Sequence, residues 1–256
     1  MDYFLFLKKK TFGIETETQG LLILSMTTNA HMIASITAAI FIFAIPANAL
    51  AVAPKFYSEI ISPLAQTAAL HSERSQPVPA TLDGNAVATF AGGCFWGIEL
   101  AYRREPGVLA TCVGYTQGET PYPTYGQVCG EETGHTEAVL LVFDPEKVTY
   151  ARLADMLFDR IPDPTMLNRV GRDRGTQYRT GMYAHSESQL AEAQTAFDRE
   201  NGTWKTSGRP VVTEVKRATE FWPAEEPHQR YLEKGGRHGR PQSADKGSSE
   251  EIRCYG

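Results

Sequence analysis

The sequence predicts an α+β fold, a mixed β-sheet with helices packed on it, long loops and an irregular C-terminal tail. Three observations carry this expectation. Short apolar runs of strand length alternate with stretches whose apolar residues recur at helical spacing. These segments follow in the order strand, helix, strand, strand, helix, strand. Glycine and proline gather in long connections between them, where turns are made.

In chain order, 86–91 is an apolar run ending in Gly92-Gly93, read as a buried strand. Residues 95–105 read as a helix: Ile98, Ala101 and Tyr102 share one face, and Pro106-Gly107 stops it. A second strand spans 108–115, and a Gly/Pro/Tyr-rich loop runs over 118–134. Residues 136–143 are almost continuously apolar, as expected of a central strand buried on both faces. Thr149 caps a helix carrying Leu153, Met156, Leu157 and Arg160, and a loop occupies 162–178. A strand near 180–184 precedes a capping box, Ser186 with Gln189, and a helix lined by Leu190, Ala193 and Phe197 up to Gly202. A last strand is read over 210–219, and the remainder is Gly-rich and charged. The order is that of a ferredoxin-like, split βαβ core with an extra helix, strand and tail.

The first eighty residues differ in kind. An apolar run over 32–45 follows a distant Lys8-Lys9-Lys10 cluster and precedes Ala47-Asn48-Ala49. Small residues in A-x-A order after such a run resemble a signal-peptidase site. Residues 1–51 are therefore read as a targeting segment, a signal or transit peptide. It directs the chain to an organelle such as a plastid or to the secretory pathway, with the cytoplasm as the alternative. Residues 52–84 are read as a linker holding at most a short helix, and 85–256 as one catalytic domain.

Composition excludes several classes. The formal net charge is −5, with Lys and Arg scattered, so no basic stripe is offered to nucleic acid. Four cysteines, Cys94, Cys112, Cys129 and Cys254, are too few for a disulfide-stapled scaffold of 256 residues. None is spaced as C-x-x-C, so no metal site is expected. Two structural bridges remain open at this point.

Cys94 carries the chemistry. It follows a strand and two glycines and begins a helix, where unpaired amides and the helix dipole favour an anion. Such a position can lower a cysteine pKa from about 8.5 into the range of roughly 3.5–7.5. Phe95 and Trp96 beside it supply an aromatic wall for a small uncharged group.

The segment Gly93-Cys94-Phe95-Trp96-Gly97 resembles the signature of the A-type peptide methionine-S-sulfoxide reductases. So do Gly114-Tyr115-Thr116, Pro123-Thr124-Tyr125, Val128-Cys129, Gly134 to Val139 and Asp173 to Arg179. Ala224-Glu225, His228-Gln229 and Tyr231-Leu232 fit as well, so the resemblance covers about 86–256. It implies that Cys94 attacks the sulfoxide sulfur and that Glu137 protonates the departing oxygen. Tyr125 and Tyr178 would hydrogen-bond that oxygen, Asp173 would stand nearby, and Phe95 and Trp96 would cradle the substrate methyl group. His228 is read as support. Cys254, in a flexible tail, matches a recycling cysteine of plant-type members, which commonly carry another where this chain has Ser248. One relay disulfide, Cys94–Cys254, follows from that resemblance, while Cys112 and Cys129 are assigned to packing, Cys129 with a backup role open.

The implied enzyme repairs oxidised proteins and also takes free methionine sulfoxide. It is a monomer and needs no cofactor beyond an external thiol reductant, thioredoxin or dithiothreitol. The chain departs from the family at Pro162-Asp163-Pro164 and at Val170-Gly171-Arg172, both in the loop that carries Asp173. A different thiol chemistry (peroxidase or cysteine hydrolase) and a non-catalytic methionine-binding module are the rival readings.

Overall fold

The computed structural model describes residues 62–254, so the targeting segment read over 1–51 lies outside the described residues. Helix α1, Pro63–Ser72, opens on a proline at its first position, which is preset for helical φ. Its Leu64, Ala65, Ala68 and Ala69 are buried, and Ser72 Oγ donates to the Phe221 carbonyl at 2.8 Å. Strand β1, Thr81–Leu82, turns through Asp83-Gly84, both at positive φ, into β2, Asn85–Gly92. An Asp-Gly pair is what a two-residue hairpin requires. The stretch read as a linker therefore corrects to part of the folded body from residue 63 onward. Its alanines sit at helical spacing on one face, a weak apolar signal that becomes binding only with a sheet to cover.

Helix α2, Phe95–Arg104, follows β2 and ends before Pro106, which disfavours helical conformation in Glu105. Strand β3 is Val108–Thr116. Inside the expected loop lies a short helix, α3, Tyr125–Cys129, started by a reciprocal capping box of Thr124 and Gln127. Strand β4, Thr136–Phe143, is buried at every position, as its continuous apolar run predicted. Thr149 Oγ1 accepts the Arg152 N–H at the start of α4, Tyr150–Arg160. The next loop holds a small hairpin, β5, Arg169–Val170, with β6, Asp173–Arg174, and a 3₁₀ turn at Thr176–Tyr178.

Strand β7, Thr180–Ala184, leads to α5, Glu187–Lys205. Ser186 Oγ accepts the Gln189 N–H, but the return half of the expected capping box is absent. Gln189 Oε1 instead accepts the His185 N–H, and its Nε2 donates to the Val87 carbonyl at 2.7 Å, tying helix to sheet. The strand read over 210–219 shortens to β8, Glu214–Arg217. Pro210 has no N–H, and the N–H groups of Val211 and Val212 donate to Asn201 Oδ1 and the Pro164 carbonyl rather than to a ladder. Strand β9, Phe221–Pro223, closes the other edge.

The sheet order is β8-β7-β2-β4-β3-β9, with β1 added on β2. All pairs are antiparallel except β7 with β8. The central four strands, β7-β2-β4-β3, realise the ferredoxin-like order. One face packs Phe90, Tyr102, Leu141, Leu153 and Leu157 under α2 and α4. The other packs Val87, Cys112, Leu140, Tyr183 and Phe221 under Leu64 and Ala68 of α1. Neighbouring strand residues alternate between these faces, as the two-residue strand period requires. Cys112, wholly buried, is a packing residue as expected.

The C-terminal tail is irregular but pinned. Arg104 donates to the carbonyls of Ser243 and Glu250 at 2.9 and 2.6 Å, and Lys246 Nζ caps the end of α2 through the Arg103, Glu105 and Val108 carbonyls. Gln242 and Arg253 exchange two bonds across the last turn. The flexible segment expected around Cys254 corrects to one held by charged side chains acting on backbone carbonyls. Among the described residues no helix is long and apolar enough to cross a membrane.

Candidate active site

Gly93, at φ 81°, turns the chain from β2 into α2 in a conformation that glycine adopts without strain. A Cβ there would stand 2.6 Å from Cβ of Val170, so the β5–β6 hairpin packs directly on this turn. Cys94 is the N-cap of α2 and borders a cleft of about 210 Å³. Phe95, Trp96, Tyr125, Glu137, Tyr178, Tyr231 and Arg237 complete its wall.

Glu137, near the start of the buried strand β4, is 1% exposed, which excludes a solvated strand-end carboxylate. Its Oε2 accepts the Phe95 N–H at 3.1 Å, so the acid is anchored to the first helical residue after the cysteine. Burial pushes its carboxyl up to about 8 and the Asp173 charge adds to this, against the Phe95 hydrogen bond. At neutral pH the group therefore holds a proton. The Cys94 thiol is also raised, by burial first and then by the Glu137 charge, with the Trp96 N–H opposing. The acidified thiol expected from the helix N-terminus is thus a correction: desolvation and a neighbouring carboxyl outweigh one backbone amide.

Burial pushes the Tyr125 and Tyr178 phenols well above their ordinary range, so both remain hydrogen-bond donors. Tyr125 begins α3, and its N–H donates to Glu225 Oε1 at 2.8 Å while Tyr115 Oη donates to Glu225 Oε2. Cys129, assigned to packing, is half-buried and hydrogen-bonded to the Tyr125 side chain, at the edge of the site rather than in the core. Trp96 stacks on Tyr231 with ring centroids 3.8 Å apart, and His228 lies against Phe95, Trp96 and Tyr125. Burial holds that imidazole below its ordinary range, consistent with a neutral supporting ring. Asp173 is on β6, half-buried, where its charge reaches Cys94, Glu137, Tyr178 and Cys254 without walling the cleft. Within the departure at Val170-Gly171-Arg172, Val170 closes over Gly93, whereas Arg172 is exposed.

Cys254 arrives from the tail. Its Sγ is 3.0 Å from the place a Cβ on Gly97 would take, so it lies against the same helix that Cys94 caps. The structure thus gathers every sequence-predicted residue around the start of α2. Sequence reasoning missed the wall residues Tyr231 and Arg237 and the bridging role of Glu225. Tyr231 and Glu225 lay in the matched stretch, but nothing local marks a residue whose partners come from distant strands.

A thiol beside a buried protonated carboxyl, two phenol donors and an aromatic wall defines a thiol-dependent oxidoreductase site for a small neutral group. The sequence profile described as peptide methionine sulfoxide reductase matches residues 86–252. The chain is 49% identical to a peptide methionine sulfoxide reductase of Brassica napus over 173 residues, 68% of this chain and 66% of the relative. It is 45% identical to peptide methionine sulfoxide reductase A4, chloroplastic, of Arabidopsis thaliana, covering 74% of this chain and 71% of that one. Among solved structures, methionine sulfoxide reductase A of Corynebacterium diphtheriae superposes with a TM-score of 0.58 at 34% identity, over 61% of this chain and 77% of that one. The chain belongs to the peptide methionine sulfoxide reductase family, in its A type.

Proposed function

We propose that this enzyme reduces the S epimer of methionine sulfoxide, free or in oxidised proteins, through a sulfenic acid on Cys94. The observation that carries this reading is the pairing of Cys94 with Glu137 at the start of α2, where the acid is protonated and hydrogen-bonded to Phe95. A sulfoxide oxygen leaves only as its S–O bond breaks with protonation, and a buried carboxyl poised near neutrality suits that task. Tyr125 and Tyr178 donate to the same oxygen, and Phe95 and Trp96 hold the methyl group. Cys94 sulfur attacks the sulfoxide sulfur, Glu137 gives its proton to the oxygen, and the thiol proton returns to the carboxylate. The sulfoxide S–O bond breaks and the hydroxyl so released adds to Cys94 sulfur as the new S–S bond breaks, its electron pair going to the departing methionine. Cys94 is left as sulfenic acid, the first reversible stage of thiol oxidation.

Cys254 then forms a disulfide with Cys94, and an external dithiol such as thioredoxin, or dithiothreitol, restores both thiols; no other cofactor is called for. The proximity of Cys254 to α2 supports this order. Residues 1–51 are proposed as an address, and the chloroplastic relative favours a plastid.

The test is acetyl-methionine formed from acetyl-methionine-S-sulfoxide. Without reductant the enzyme should release product in a stoichiometric burst, and Cys94→Ser should release none. Cys254→Ser should keep the burst and lose thioredoxin-driven cycling. Undiminished cycling by Cys254→Ser would sink the relay, and activity in Cys94→Ser the nucleophile.

A further inference from the structure

Gly97 of α2 faces two groups that the chain brings from far apart. The place its Cβ would take is 3.0 Å from Cys254 Sγ and 3.8 Å from Arg160 Nη2, with Ile252 Cγ2 at 3.9 Å. Arg160 is the last residue of α4, and the chain turns away at once through Ile161-Pro162. None of the ion pairs among the described residues involves Arg160, and its Nε is buried without a hydrogen-bond partner. A partly buried cation lacking an anion is costly, and an anion formed beside it is stabilised in return. The Cys254 thiol lies beside it and can become such an anion, with the Asp173 charge reaching the same thiol.

We infer that Arg160 activates the resolving step by favouring formation of the Cys254 thiolate that attacks the Cys94 sulfenic acid. The inference rests on the reading of Cys254 as the resolving thiol. In this step the Cys254–Cys94 S–S bond forms and the S–O bond of the sulfenic acid breaks. Hydroxide leaves and takes up a proton as water, and the Cys254 proton has gone to solvent. The bound sulfoxide was the oxidant, so none further is required. The groups that act on Cys254 are Arg160 from α4 and Asp173 from β6, while Cys254 in turn acts on Cys94 at the cap of α2. Burial raises the thiol above its ordinary range and the Asp173 charge adds to this, while the Arg160 guanidinium opposes them without cancelling them. Only a thiolate is a competent nucleophile here, so resolution should follow that balance. With Ser248 in place of a second tail cysteine, Cys254 is the one thiol of the tail.

The experiment follows disulfide formation by rapid quench and mass-tag alkylation after reduced enzyme meets acetyl-methionine-S-sulfoxide, from pH 7 to 10.5. Arg160→Met should slow resolution about tenfold at neutral pH and move its pH midpoint up by about one unit, the two being the same effect. Arg160→Lys should restore most of the rate, and it serves as the second variant should Arg160→Met fold poorly. An unmoved midpoint, or a slower rate that Lys does not restore, overturns the role of Arg160. In parallel, Cys254→Ser should accumulate sulfenic acid trapped by dimedone. A disulfide formed by that variant would refute the Cys254 reading itself, whereas an inert Cys254→Ser with an unaffected Arg160→Met refutes only the present inference.

Discussion

Cys94 and Glu137 show how a residue acquires a role from its neighbours. The cysteine was legible as the candidate nucleophile because glycines, aromatics and a helix start surround it in sequence. Its protonation was not legible, since that depends on a carboxyl delivered by β4 and on burial. The same burial makes Glu137 an acid with a pKa of about 8. A general acid works while protonated, so the Glu137 contribution to the first half-reaction should be level below about pH 8 and fall above it. Glu137→Gln should remove that fall and slow methionine formation by roughly 10²–10⁴-fold, the usual worth of a positioned general acid. Single-turnover rates across pH check both; an unchanged profile in the variant would assign the titration to another group.

At the scale of elements, strands and long helices were readable and short pieces were not. Strand β4 announced itself by an unbroken apolar run and α4 by a cap and a face. Helix α3 carried a readable capping box in Thr124 and Gln127, hidden among loop-forming residues. Strand β9 and the β5–β6 hairpin are only two or three residues long, too short for any period to appear. Yet β9 positions the segment that presents Glu225, His228 and Tyr231 to the cleft. It pairs with β3 at Gly114, where a Cβ would stand 2.3 Å from the Trp222 carbonyl oxygen. Gly114→Ala must therefore push β9 away. Overpacking of this kind costs about 1–3 kcal/mol. Urea unfolding should show that loss, and KM for the sulfoxide should rise as Tyr231 is displaced from Trp96; equal stability and KM would mean that the edge yields freely.

Across the whole molecule, Glu99 joins helix, sheet and tail. It is 1% exposed, and it accepts from Thr111 Oγ1 on β3 at 3.0 Å and from the Arg230 N–H at 2.8 Å. Burial pushes its carboxyl from 4.5 up to about 7. The folded state therefore keeps a proton that the unfolded chain gives up in this window. Its contribution is fully present below pH 4.5 and is lost as pH rises to about 7. Relative to Glu99→Gln, the wild type should lose about 3 kcal/mol over that interval, since each pKa unit is worth about 1.36 kcal/mol. Denaturant midpoints at several pH values check this, and parallel curves would refute it. By itself, the sequence determined the order of the main strands and helices and singled out the candidate reactive thiol, because apolar period, caps and turn residues are local. The tertiary structure alone decided that residues 63–82 cover the sheet and that the tail thiol meets the Cys94 helix. It alone decided, too, which carboxyls keep their protons. Burial and charge are summed over neighbours in space, and no stretch of chain carries that sum.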